Sequence, residues 1–329
     1  MLRFGVLGAG RIGKMHAANL AAASTARLVA VADAIPEAAE AVAEATNAKA
    51  QSADEVIANP EVDAVLIASP TDTHADFIEQ AVRAGKAVLC EKPVDLSSDR
   101  IAQCLEVVDA AGQPLMIAFN RRFDPNFAEL KRRLDDGVVG DLETVTIVSR
   151  DPAPPSISYV ERSGGLYRDM MIHDFDLARF FLGEEPVEVH AIGSVLVEPA
   201  IGEAGDVDTA MVMLRTASGK LCQISCSRRA TYGYDQRVEL HGAGGMLRAG
   251  NVLESTVEVA TGTGFSFDPT LNFFIERYTD AYRLEIDAFV DAVESGKPPS
   301  PSGYDGLMAQ RLADAASTAR ETGQPVRLD

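Results

Sequence analysis

Residues 8–13, Gly8-Ala9-Gly10-Arg11-Ile12-Gly13, follow an apolar run from Leu2 to Leu7 and open a helical pattern that continues through Ala23. That order of strand, GxGxxG and helix is the setting in which the motif has a physical reason. The first glycine permits the tight turn, the second lets backbone approach a pyrophosphate, and the third lets helix and strand pack closely. The helix N-terminus then offers free N–H groups and positive potential to phosphate. A second apolar run, Leu28 to Ala32, ends in Asp33, at the spacing expected of an acid that accepts from adenosine ribose hydroxyls. Such a carboxylate repels a 2′-phosphate, and Ala34 and Ile35 offer nothing to bind one. The expected cofactor is NAD rather than NADP.

The alternation continues through Phe119. Helical runs from Pro36 to Thr46, Ser52 to Ala58, after His74 to Gly85, and Ser98 to Ala111 separate short apolar strands. These strands are expected near Ala48 and over Asp63–Ala68, Lys86–Cys90 and Pro114–Phe119. Strands alternating with helices predict a Rossmann-type, doubly wound parallel sheet, with ligands at the carboxyl ends of its strands. Ser69, Thr71, His74, Glu91, Lys92 and Pro93 are therefore cofactor-side candidates, and Asn120, Arg121 and Arg122 border the same crevice. His74 suits a nicotinamide-side contact or a helix cap better than base chemistry. His16 suits packing or an exposed helix position.

With 329 residues, the chain has room for about two domains. The formal net charge of −19 argues against nucleic acid and anionic membranes as partners. No apolar run approaches a bilayer span, no secretory leader is visible, and a cytoplasmic location is expected. Cys90, Cys104, Cys222 and Cys226 form no CxxC pair and are expected to be reduced and partly buried. No Cys/His cluster suggests a metal.

Beyond Asp141 strand-like runs dominate: Glu143–Ser149, Val187–Val197, Thr209–Thr216, Leu221–Arg228, Gln236–Gly242 and Thr256–Thr261. Short Gly/Ser turns between several of them predict a large, mainly antiparallel sheet. The expected architecture is α/β, with a dinucleotide-binding domain over 1–121 and an α+β substrate and oligomerisation domain over 122–329. Two long helices, Phe274–Ser295 and Tyr304–Thr322, close the chain. The stretch Glu198–Asp208 is expected to be a mobile loop.

Within this half, Gly164 to Arg179 reads as one helix with Asp169, His173 and Asp176 on one face. Met171, Phe175, Ala178 and Leu182 make a second, core-facing stripe, and Gly183 and Pro186 end the helix. A carboxylate one turn from an imidazole can fix its tautomer and raise its basicity, as a general base requires. Taken alone, such a pair is more often a surface ion pair.

Taken together, the cofactor half, Glu91-Lys92-Pro93 at a strand end and the Asp-x-x-x-His helix resemble the Gfo/Idh/MocA oxidoreductase family over nearly the whole chain. The resemblance sharpens toward the bacterial inositol 2-dehydrogenases of that family on Phe119–Asp124, Tyr232-Gly233-Tyr234-Asp235, Ala281-Tyr282 with Glu285, and Ser302–Gly306. It implies that Lys92, Asp169 and His173 line the place where hydride moves. Lys92 is kept extended by Pro93 and can stabilise a developing alkoxide; His173 takes the hydroxyl proton; Asp169 orients substrate hydroxyls, tunes His173, or does both. Asn120, Arg121 and Tyr234 are substrate candidates. Tyr232 and Tyr234 alternate, so one points inward, and one of Arg121 and Arg122 has Asp124 or Asp151 within reach as partner. His190 and His241 read as structural, and Asp176 as packing or as a partner of Arg179.

The expected reaction is NAD-dependent oxidation of a secondary ring hydroxyl of myo-inositol to 2-keto-myo-inositol, by a homotetramer formed through the open sheet. The rivals are scyllo- or chiro-inositol or an aldose as substrate, an NAD-dependent glycosidase, or a non-catalytic NAD sensor. The presence of both Lys92 and His173 speaks against the last.

Overall fold

The computed structural model describes residues 1–328, which form two compact units. One comprises residues 1–123 and 280–310, the other 124–279 and the segment from 311 onward. A single cut after residue 121 therefore does not describe the chain, because residues 280–310 return to the first unit. The reason is apolar: Ile286, Phe289 and Val290 join the core of the first sheet, and Phe289 meets Phe4 at 5.8 Å between ring centroids.

The first unit starts with β1 (Leu2–Leu7), α1 (Arg11–Ala22), β2 (Ala26–Ala32), α2 (Pro36–Thr46), β3 (Lys49–Ala50) and α3 (Ala53–Ala58). It continues with β4 (Ala64–Ile67), α4 (His74–Arg83), β5 (Ala87–Cys90), α5 (Ser98–Ala111) and β6 (Leu115–Ile117). The six strands are parallel in the order β3-β2-β1-β4-β5-β6, so the order reverses between β1 and β4, where such sheets bind dinucleotides. Strands β4 and β5 are buried along their whole length, as a sheet covered by helices on both faces requires. Ser52 caps α3 through a reciprocal exchange with Glu55.

The second unit contains α6 (Pro125–Asp135), β7 (Leu142–Arg150), α7 (Ile157–Ser163), α8 (Gly165–Asp169), α9 (Ile172–Leu182), β8 (Pro186–Ser194) and α10 (Pro199–Glu203). Then come β9 (Thr209–Thr216), β10 (Leu221–Ser227), β11 (Asp235–Gly242), β12 (Gly245–Ala249), β13 (Glu258–Thr261), β14 (Gly264–Phe267) and α11 (Phe274–Arg277). The chain closes with α12 (Thr279–Ser295), α13 (Gly303–Thr322) and β15 (Val326–Arg327). Seven strands form a sheet in the order β12-β11-β7-β10-β9-β8-β15, antiparallel except where β10 meets β7. Helix α9 packs on β7 and β10 and covers one face. On β9 burial alternates, with Ala210, Val212 and Leu214 inside and Met211 and Met213 exposed on the open face.

Three expectations change in detail. The strand near Thr256 is not part of the large sheet, because β13 pairs only with β14 in a separate hairpin. The stretch 198–208 is a structured turn: α10 lies within it, and the buried Asp208 accepts from the N–H groups of Leu196, Val197 and Glu198. The long helix from Phe274 breaks at Tyr278, between α11 and α12.

Candidate active site

The cofactor side begins at the glycine turn. Gly8 has φ +105°, and a Cβ there would sit 2.4 Å from the Ala68 carbonyl oxygen. At Gly13 a Cβ would sit 1.9 Å from the Gly8 carbonyl oxygen. Gly10 differs, since a Cβ there would meet no atom of the chain within 4 Å. The fold needs Gly8 and Gly13; Gly10 leaves open space beside its backbone, as close approach of a pyrophosphate requires. Gly10 is also the N-cap of α1, where no side chain caps the helix and no acidic residue stands in the first turn. Arg11 and Ile12 open that helix. The residues present fit a dinucleotide.

Asp33 closes the same turn. One carboxylate oxygen accepts from the Ala9 N–H at 2.6 Å and the other from the Ile35 N–H at 2.8 Å. Each oxygen has a second lone pair for a ribose hydroxyl. Ser69 follows β4, Glu91 follows β5 and Asn120 lies beyond β6, so three candidate groups stand at the carboxyl ends of adjacent strands. Thr71 lies in a 3-10 turn over 71–73, in which the Ser69 and Thr73 hydroxyls meet at 2.6 Å.

His74 joins two of these strand ends. Its Nδ1 is 2.8 Å from the Pro93 carbonyl oxygen and its Nε2 2.8 Å from that of Ser69. With both ring nitrogens on backbone carbonyls, the imidazole braces the loop rather than offering a nitrogen to a ligand or capping a helix. The Glu91-Lys92-Pro93 turn is held a second time, by His16. That ring is fully buried, not exposed, and its Nε2 lies 2.7 Å from Glu91 Oε1. The two residues are 75 apart in the chain, so no local pattern marks their partnership.

Asn120 and Arg121 are buried. Arg122 pairs with Asp305 at 2.9 Å, whereas Asp124 caps α6 and forms a buried ion pair with Arg277. Of Asp124 and Asp151, the two carboxylates expected within reach of these arginines, Asp124 has Arg277 as an ion-pair partner. A helix-capping carboxylate is already committed by local geometry, and Arg277 supplies its charge partner.

In the second unit the expected single helix is two. Both Met170 and Met171 direct their N–H groups to the Leu166 carbonyl, which ends α8, and Met171 becomes the N-cap of α9. Asp169 therefore lies at the end of one helix and His173 in the first turn of the next. The core stripe survives the break: Met171, Phe175, Ala178 and Leu182 are all buried. Asp176 is buried 3.9 Å from Arg179, which itself pairs with Glu185.

Asp169 is held by residues the sequence did not single out. Tyr159 donates its hydroxyl hydrogen to one carboxylate oxygen at 2.8 Å. Although the Tyr159 side chain is half exposed, burial first and then the neighbouring Asp169 carboxylate push its phenol above the usual range, so it stays a donor. Arg228 approaches the other oxygen at 3.5 Å and lies 3.9 Å from Asp206. Asp206 in turn accepts from the Leu166 N–H at the start of α8. An arginine at the end of a polar strand, 59 residues from its partner, carries no local signature.

Tyr234 and Tyr232 do alternate. Tyr234 is 5% exposed and meets Tyr278 edge to face at 5.9 Å, so it offers a substrate little surface. Tyr232 is half exposed; its hydroxyl donates to Asp235 at 2.6 Å and accepts from Arg150 at 2.8 Å. His190 and His241 stand exposed beside Glu188 and Glu143. All four cysteines are free and buried. Among the described residues no group of three or more His, Cys, Asp or Glu is arranged to hold a metal ion, and no helix is long and apolar enough to cross a membrane.

Comparison with known proteins agrees with this layout. The chain is 55% identical over 315 residues to the inositol 2-dehydrogenase of Rhizobium meliloti, covering 96% of each. It superposes on a myo-inositol dehydrogenase from Corynebacterium glutamicum with a TM-score of 0.96 at 43% identity, covering 100% of this chain and 99% of that one. The scyllo-inositol dehydrogenase of Lactobacillus casei, solved with NAD(H) and scyllo-inositol, gives a TM-score of 0.93 at 31% identity, covering 99% of each chain. Residues 2–119 match the model of the oxidoreductase family's NAD-binding Rossmann fold, and residues 127–248 match the GFO/IDH/MocA C-terminal domain. The chain belongs to the Gfo/Idh/MocA oxidoreductase family, and its cofactor is NAD.

Proposed function

We propose that the protein is an NAD-dependent inositol 2-dehydrogenase that oxidises a secondary ring hydroxyl of myo-inositol to the ketone of 2-keto-myo-inositol. The observation that carries this reading is the 55% identity to an inositol 2-dehydrogenase along 96% of both chains. Oxidising a secondary alcohol removes a proton from oxygen and a hydride from carbon, and bound NAD supplies the hydride acceptor.

We assign the chain's own groups as follows. His173 takes the hydroxyl proton as general base. Lys92 places its ammonium against the oxygen that becomes alkoxide-like, where a fixed cation is worth most. Asp169, braced by Tyr159 and Arg228, accepts hydrogen bonds from substrate hydroxyls and keeps the base oriented. The amide of Asn120 and the guanidinium of Arg121 suit a polyol, and Tyr234 lends at most a ring edge. Gly8 through Gly13 and Asp33 hold the dinucleotide, with Ser69, Thr71, His74, Glu91 and Pro93 shaping the nicotinamide side.

The open sheet face, with Met211, Met213, Ile192 and Leu221 exposed, suits burial against further copies in a homotetramer. Buried free thiols suit a reducing cytoplasm. The test is an initial-rate screen for NADH formation across inositol isomers and aldoses with NAD and NADP. Preference for myo-inositol with NAD supports the assignment. Preference for scyllo-inositol or an aldose, or turnover without net NADH, overturns it.

A further inference from the structure

The segment Ala281-Tyr282 with Glu285 stands out in the sequence, and the fold puts it to a use the reaction above does not explain. Glu285, on α12, is fully buried, and neither of its carboxylate oxygens has a hydrogen-bond partner in the chain. Tyr282 stands three residues before it on the same helix face. The Tyr282 ring meets His16 of α1 edge to face at 5.6 Å. The far nitrogen of His16 is the one bound to Glu91, while its Nδ1 is buried without a partner. Glu91 immediately precedes Lys92. The charged group that faces Glu285 is Glu91 after β5; His16 of α1 is bonded to that Glu91 and packs on Tyr282, one turn from Glu285.

Burial first, then the Glu91 carboxylate, push the Glu285 acid well above the usual carboxylate range. That favours the protonated acid, which can donate one hydrogen bond across a bridging water. A buried acid that must be kept protonated is a poor stabiliser, and an apolar side chain of the same volume packs there at no such cost. Groups that weaken a fold beside a reaction site point to a role in that site.

We propose that Glu285 is a positioning residue that, through its carboxyl group, holds the His16–Glu91 pair and with it the turn that carries Lys92. The proposal rests on the reading of Lys92 as the cation at the reacting oxygen. It makes the pair Tyr282 and Glu285 part of the support of the lysine, not of the substrate's surroundings.

Two variants of similar volume separate support from packing. Glu285→Gln keeps a donor, and kcat and its pH profile should stay within about threefold of the parent. Glu285→Met keeps only volume. It should bind NAD and melt no lower than the parent, yet lose at least about tenfold in kcat, with KM little changed and the pH–rate profile displaced. Parent-like kcat and pH profile in Glu285→Met would overturn the proposal. The infrared difference between parent and Glu285→Gln at neutral pH needs neither substrate nor the Met variant. A protonated carboxyl stretch present only in the parent supports the proposal, and its absence overturns it. Failure of the inositol assignment would show separately, as a parent enzyme that reduces no NAD with any inositol while the carboxyl band persists.

Discussion

Arg228 is 1% exposed, and its guanidinium lies 3.5 Å from the Asp169 carboxylate. The same group faces Asp206 at 3.9 Å, and Asp206 holds the Leu166 N–H in the first turn of the helix that ends in Asp169. One buried cation thus ties both ends of α8 together. Removing a partner from a buried ion pair costs about 3 kcal/mol or more, because the charge left behind is uncompensated. Arg228→Met should therefore lower stability by about that amount and reduce kcat/KM at least about tenfold through misplaced Asp169. Arg228→Lys restores the charge but not the planar fork, and should recover part of both losses. Urea unfolding and initial rates on the same samples test this; a folded Met variant with parent kcat/KM would refute the link.

His173→Ala removes the proposed base from the first turn of α9, at a partly buried position between the buried Ile172 and Asp174. Loss of a general base costs about 10²–10⁴ in rate. The variant should therefore lose kcat by that factor and bind NAD as the parent does, since the cofactor turn belongs to residues 8–13. A fluorescence titration with NAD beside steady-state rates separates the two effects. Near-parent kcat/KM would remove His173 from the mechanism.

The glycine turn separates fold from function within six residues. Gly13→Ala forces a Cβ to 1.9 Å from backbone, so this variant should fail to fold or lose several kcal/mol. Gly10→Ala meets nothing within 4 Å. It should melt within about 1 °C of the parent while losing at least about tenfold in NAD affinity, because the methyl occupies the approach of the pyrophosphate. Calorimetric melting without cofactor and an NAD titration decide the matter. Unchanged NAD affinity would place the dinucleotide elsewhere.

Much of this was open to sequence reasoning because it depends on near neighbours. Leu2–Leu7, the glycine turn and Asp33 are local patterns, and burial on both faces makes β4 and β5 plain apolar runs. The helix break at Met170 was not open, because its residues are good helix formers and the bonds of two N–H groups to Leu166 are set by packing. Strands β12, β14 and β15 are short and partly exposed, so their periodicity is weak. Asp169 and Lys92 drew notice through motifs. Their supports, Arg228 and Tyr159 for one and His16 for the other, are assembled only by the fold.

Asp33 shapes the cofactor loop through the Ala9 and Ile35 N–H groups, and its proposed role in cofactor choice is open to a direct test. Asp33→Ser removes the charge that repels a 2′-phosphate and keeps a short hydrogen-bonding group, so relative use of NADP should rise at least about tenfold. NAD affinity should also fall, because the Ala9 N–H loses a 2.6 Å charged acceptor. Initial rates with both cofactors at saturating inositol measure the ratio. An unaltered ratio would mean that other residues set the preference.

Glu285 fixes the sign of one pH effect on stability. Its folded-state acidity is weakened first by burial and then by the Glu91 charge, so its pKa is raised. In the unfolded chain it ionises around its ordinary value of 4.5. Between that pH and the raised folded value, the unfolded state loses a proton that the folded state keeps. The stability contribution is thus complete below 4.5 and declines as pH rises. Glu285→Gln has no proton to lose, so its gain in Tm over the parent should grow from pH 5 to pH 8. Parallel thermal melts at the two pH values test this. A gain that shrinks toward pH 8 would mean that Glu285 is ionised in the folded protein and that Glu91 is not its dominant neighbour.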